Sequence, residues 1–188
     1  MSMICFIGQI NDNDLKMVME NPKRTELLIN GGKYFNQPKH SFFKKLFSKQ
    51  KEEKQDLWKP DVSEPMYDVD KAWNGVHFIL NGDAEEGEFP LNFIVSGGES
   101  IGDDIGYGPL RILFPKDVEA LKFELDKITV KDFEARFDAE ELKLNDIYPL
   151  TDHWVDEDKQ WLTEVYDGLK SYVDKACSNK NSLFVAIV

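Results

Sequence analysis

Two continuous apolar runs frame the chain. "MICFIGQI" near the start and "SLFVAIV" at the end are rich in β-branched and aromatic residues, with little polar alternation. Such runs predict strands buried on both faces, lying as neighbours in the middle of a sheet. Between them the pattern turns helical. "NDNDLKMVMENP" predicts a short helix with Asp12 as N-cap and Pro22 as its stop, and "TELLING" predicts a further helix or turn ended by glycine. "YDVDKAWNGVHFILNG" predicts a helix capped by Asp68, with Asp70 in its first turn and Gly82 ending it. On that helix Val69, Trp73, Val76, His77 and Leu80 share one stripe less than about 90° wide. "LRILF" predicts a strand, and Pro115 opens a helix whose stripe is Val118, Leu121, Leu125 and Ile128. Thr129 with Asp132, and Asp138 with Glu141, are spaced as capping boxes for two short helices. A long helix from about 156 to 179 follows the break at Pro149. The fold class predicted is α+β: a single domain over 1–188, with a mixed or antiparallel sheet packed against several helices, the long C-terminal one included.

Composition changes this picture mainly through charge. The chain has 188 residues, 41% of them hydrophobic, enough for one domain with a core of its own. Its net charge of -12 disfavours nucleic acid and favours a basic protein partner. The charge is uneven, with eight lysines against three acids between Gly31 and Pro60. Within the lysine-rich stretch at about 33–60, "HSFFKKLFSKQKEEK" predicts a short helix with Phe42, Phe43, Leu46 and Phe47 on one side. It reads either as a partner-binding arm or, more commonly for such a segment, as an insertion folded back on an acidic body. No apolar run approaches the roughly 18 residues of a membrane span. The start does not read as a signal peptide. Cys5 and Cys177 form no CxxC or Cys/His cluster and are expected as free thiols. A cytoplasmic protein without membrane insertion is therefore expected.

Chemistry is sparse. There is no GxSxG elbow, and His40, His77 and His153 lie in three unrelated segments, so neither a metal nor a cofactor is predicted. His77, embedded in an apolar stripe, is expected to be structural; with Asp70 it is the acid/base candidate if the protein is an enzyme. "SGGESIGDDIGYGP" has the glycines of a phosphate loop, but Glu99, Asp103 and Asp104 would repel phosphate. It reads instead as a structural turn or as a binding lip, with Tyr107 as anchor and Arg111 beneath it. Trp73, Asp103, Tyr107 and Arg111 are the binding candidates.

Several blocks in order carry a family resemblance: Met3-Ile4, "DVDKAWNGVHFILNG", Pro90-Leu91, "GYGPLRIL" followed by Pro115, "IYP" at 147–149, and the apolar last strand. Together they resemble the YfbM-like family of small, mostly bacterial proteins with a domain of unknown function. Phe114 and Asn74 depart from the residues common there, and the lysine-rich insertion at about 33–60 resembles the family's most variable region. The resemblance implies a single α+β cytoplasmic domain and supplies no reaction. Two functions are carried forward. One is a non-catalytic binding protein, such as an antidote to a basic partner. The other is a small enzyme or ligand sensor with a cleft near the 68–82 helix and the 97–111 glycine-rich loop. Ligand, partner and oligomeric state are left open.

Overall fold

The two framing runs do pair. β1 (Cys5–Ile10) and β5 (Ser182–Ile187) run antiparallel along their whole length, with Cys5 opposite Ile187 and Ile10 opposite Ser182. β2 (Tyr67–Asp70), β3 (Glu99–Asp104) and β4 (Pro109–Leu113) complete a five-stranded sheet in the order β2-β1-β5-β4-β3. Every neighbouring pair is antiparallel. The computed structural model describes residues 2–31, 58–61 and 64–188. The amphipathic helix expected within the lysine-rich stretch lies outside the described residues.

The inner strands lack polar alternation because both faces of the sheet are covered. Cys5, Ile7, Leu183, Val185, Ile187 and Leu113 enter the larger core. Phe6, Ile10, Phe184, Ala186, Leu110 and Ile112 enter a smaller one on the opposite face. Gly8 lies opposite Phe184, whose ring fills the space above it: a Cβ on Gly8 would sit 2.0 Å from that ring. The outer strand β3 is exposed and carries Glu99, Asp103 and Asp104, which protects an open sheet edge against further pairing.

The smaller core is closed by α1 (Asp12–Glu20) and α2 (Thr25–Gly31). Asn11, not Asp12, caps α1, its side-chain oxygen accepting from the Asp14 amide at 2.9 Å. Asp14 turns inward and accepts from the Asp61 amide at 2.7 Å and from the Trp58 indole at 3.3 Å. It thus holds the chain where it returns from the lysine-rich stretch.

The larger core lies under α3 (Trp73–Asn81), α4 (Pro115–Asp126), α5 (Val130–Ala135), α6 (Ala139–Leu144) and α7 (Asp158–Ser178). The long helix α7 buries Leu162, Tyr166, Leu169, Val173 and Ala176, the spacing of one helical face. Tyr166 stacks on Phe133 with ring centroids 4.1 Å apart and donates to the Ile128 carbonyl at 2.9 Å. Lys170 donates to the Ile128 carbonyl at 2.7 Å and to that of Leu125, placing a cation at the C-terminal end of α4. Thr129 and Asp132 form the expected capping box of α5, and Asp138 caps α6 through its Oδ1.

Candidate functional site

Residues 67–82 are a strand, a turn and a helix, not the single helix that the spacing predicts. Tyr67, Asp68 and Asp70 pair with Ile7, Phe6 and Cys5, so the first four residues are the edge strand β2. The alternation Tyr-Asp-Val-Asp carries that signal, with Val69 buried and both acids exposed. Asp68 accepts from the Asp70 amide at 2.9 Å, Asp70 takes a left-handed φ of 49°, and the chain turns into α3. Gly82 ends α3 as expected, with φ 75° and its amide on the Phe78 carbonyl.

His77 is fully enclosed. Asn81 donates to its Nδ1 at 3.3 Å and to its carbonyl at 2.9 Å. Nδ1 is then the acceptor, and Nε2 carries the proton it donates to the Glu86 carbonyl at 3.0 Å. Burial pushes the imidazole below its usual pKa, outweighing the opposite pull of the Glu86 bond. This neutral tautomer clamps the 83–91 loop onto α3. Asp70, its proposed helper, is exposed on the β2 turn.

Arg111 is buried under the sheet and fans its guanidinium over main-chain carbonyls. It donates to Phe93 at 2.7 Å, to Gly97 at 2.9 Å, and to Ile94. These carbonyls belong to the 3-10 turn Leu91–Ile94 and the bend after it, which Arg111 holds together. Cys5 lies nearby, and burial raises its thiol to about 12, so it is not a nucleophile at neutral pH.

The glycine-rich loop is largely a hairpin: β3 occupies 99–104 and β4 begins at Pro109. At its tip Asp104 accepts from the amides of Gly106 and Gly108, and Tyr107 extends to 51% exposure. Tyr107 covers Trp73, with ring centroids 5.9 Å apart, and Tyr148 stacks on Trp73 at 5.7 Å. The α3 helix and the hairpin touch through Trp73 and Tyr107. Arg111 and His77 are buried in the core, and Asp103 is exposed on β3. The Trp73 indole nitrogen is buried without a hydrogen-bond partner among the described residues.

Other polar residues that the hydrophobic pattern does not single out have structural duties. Asn74 accepts from the Tyr148 amide and donates to the Ala84 carbonyl, both at 2.9 Å, joining α3 to two loops. Its signals in the sequence are an amide inside a largely apolar helix and its departure from the resembled family. Gln9, Asp14, Asp61 and Glu64 border a cavity of about 10 Å³, room for about one water, and the buried amide nitrogen of Gln9 has no hydrogen-bond partner among the described residues.

A larger groove, of about 580 Å³, opens between the start of α6 and the turn at Trp154–Glu157. Phe137, Ala139, Trp154 and Val155 supply its apolar lining, and Asp138, Glu140, Asp156, Glu157 and Lys143 its charges. Apart from Asp138, legible as a helix cap, none of these residues stands out in the sequence, because they come from two segments that only the fold brings together. No group of three or more His, Cys, Asp or Glu side chains converges as a metal site among the described residues. No helix among them is long and apolar enough to cross a membrane.

Residues 1–186 match the family described as "Domain of unknown function (DUF1877)". A solved structure of similar fold is that of a protein of unknown function, YfbM, from Escherichia coli, at a TM-score of 0.66 and 18% identity. The match covers 98% of this chain and 99% of the other. It supports the YfbM-like fold expected from the motifs. Among curated proteins nothing matches the sequence.

Proposed function

We propose that this chain, which belongs to the DUF1877 family, is a non-catalytic binding protein that captures a basic protein partner, as an antidote would. The supporting observation is where the charged and reactive groups lie. His77, Arg111 and Cys5 are committed inside the core, while the chain carries 35 acids against 23 lysines and arginines. An excess of that size speeds the encounter with a basic surface and disfavours phosphate-rich ligands. The test is affinity capture with the tagged full-length protein at low and high ionic strength. A basic protein retained at low salt and released at high salt is the expected result. Capture of nothing, or of partners held equally at both, counts decisively against this function.

A second reading, a small-ligand sensor, draws on the unpartnered Trp73 indole nitrogen beneath Tyr107. A ligand that supplies an acceptor there would raise the melting midpoint, since it binds only the folded chain. A melting screen of small oxyanions and aromatic acids that leaves the midpoint unmoved would remove this reading.

A further inference from the structure

Val155 is 47% exposed, yet it borders a tryptophan that is completely buried. The groove they share has a volume in the range of sites that enclose small ligands, about 300–1,000 Å³, so it has room for one or two side chains of a partner. Its charges do not cancel. The Lys143 ammonium is taken by Glu140 at 2.8 Å, which leaves Asp138, Asp156 and Glu157 without a cation from the groove lining. Asp138 uses Oδ1 alone to cap α6, so Oδ2 is not needed for the cap. At the aromatic end, the Lys159 ammonium already lies 5.7 Å from the Phe137 ring centroid. With that ring face taken, the carboxylates of Asp156 and Glu157 are left for an incoming cation, with an apolar neighbour packed on Val155.

We infer that this groove is the docking site for a basic segment of a protein partner, receiving an arginine or lysine flanked by an apolar residue. The inference rests on the binding function proposed above and adds the place and the chemistry. Charge complementarity selects the occupant: three carboxylates without a cation from the groove lining repel a phosphate or an acidic peptide, and the apolar wall distinguishes a side chain with an aliphatic stem from a free ion. Arginine suits it best, since a guanidinium can bond two carboxylate oxygens while its stem lies on Val155.

The probe is a six-residue peptide of alternating arginine and leucine, titrated into the full-length ¹⁵N-labelled protein. Its counterpart with glutamate in place of arginine is the control. Amide shifts confined to 137–157 with the first peptide and absent with the second are expected. The double variant Asp156→Lys/Glu157→Lys should weaken binding about tenfold, whereas Glu20→Lys/Glu119→Lys should change it less than about twofold. Shifts centred elsewhere, no binding of the arginine peptide, or equal losses in both variants would overturn the groove assignment. A captured basic protein that binds the Asp156/Glu157 variant undiminished would overturn the groove alone. Failure to capture any basic protein would overturn the function beneath it.

Discussion

The helix that carries His77 and the groove that ends at Glu157 make opposite use of polar residues. In the helix, the side chains that look chemical are spent on the fold: an imidazole on a loop carbonyl, two asparagines on loop amides and carbonyls. In the groove, ordinary surface acids gather round an apolar strip, and the groove lining itself holds no cation to balance three of them. What separates the two is reach, not residue type. A histidine without access to solvent is a structural brace, while carboxylates on two unremarkable turns stay open to solvent.

That contrast can be broken by substitution, beginning where the loss should be greatest. Arg111→Met keeps the length of the side chain but leaves the carbonyls of Phe93, Ile94 and Gly97 without their donor. A destabilisation of about 3–5 kcal/mol in urea unfolding is expected. A loss under about 1 kcal/mol would mean that Arg111 does not brace the core and is free for a ligand. Asn74→Ala removes two hydrogen bonds and strands a Tyr148 amide, which should cost about 2 kcal/mol by the same measurement.

His77 sharpens the comparison through pH. Its folded pKa lies below the ordinary 6.5, so below that pH the unfolded chain takes up a proton that the native chain refuses. Stability should then fall as the pH drops from 6.5 toward the carboxylate range, by up to about 1.4 kcal/mol per unit. His77→Gln should flatten that limb of a stability–pH curve. An unchanged limb would mean the imidazole is accessible and protonates in place. The smallest effect belongs to the groove. Asp156→Lys/Glu157→Lys should shift unfolding by no more than about 1 kcal/mol, the cost of reversed charge at the N-terminus of α7, because both side chains are exposed and neither braces the core. A larger loss would make those acids structural and erase the distinction.

The sequence conveys the fold better than the site. Apolar runs at 5–10 and 182–187 announce the sheet centre, and Pro115, Thr129 and Asp138 mark their helices, because these signals are local. The 67–70 strand is hidden in front of α3: four residues of alternation are easily absorbed into an adjoining helical period, and only pairing with β1 decides between them. Glycines at 97–108 suggest a loop, yet pairing with β4 draws 99–104 into the sheet. Arg111 resembles an interface anchor until the carbonyls of a turn eighteen residues earlier are seen to claim it. The groove is the least legible feature, since no single segment contains it.

The pairing of β1 with β5 ties residue 5 to residue 187 across almost the whole sequence. No local nucleus can complete this sheet; the longest loop in the molecule must close before the middle ladder exists, which slows folding and makes it strongly cooperative. Cutting away 182–187 would therefore not trim an edge. It would leave β1 and β4 facing a vacant lane, and the two halves of the sheet would have nothing to join them.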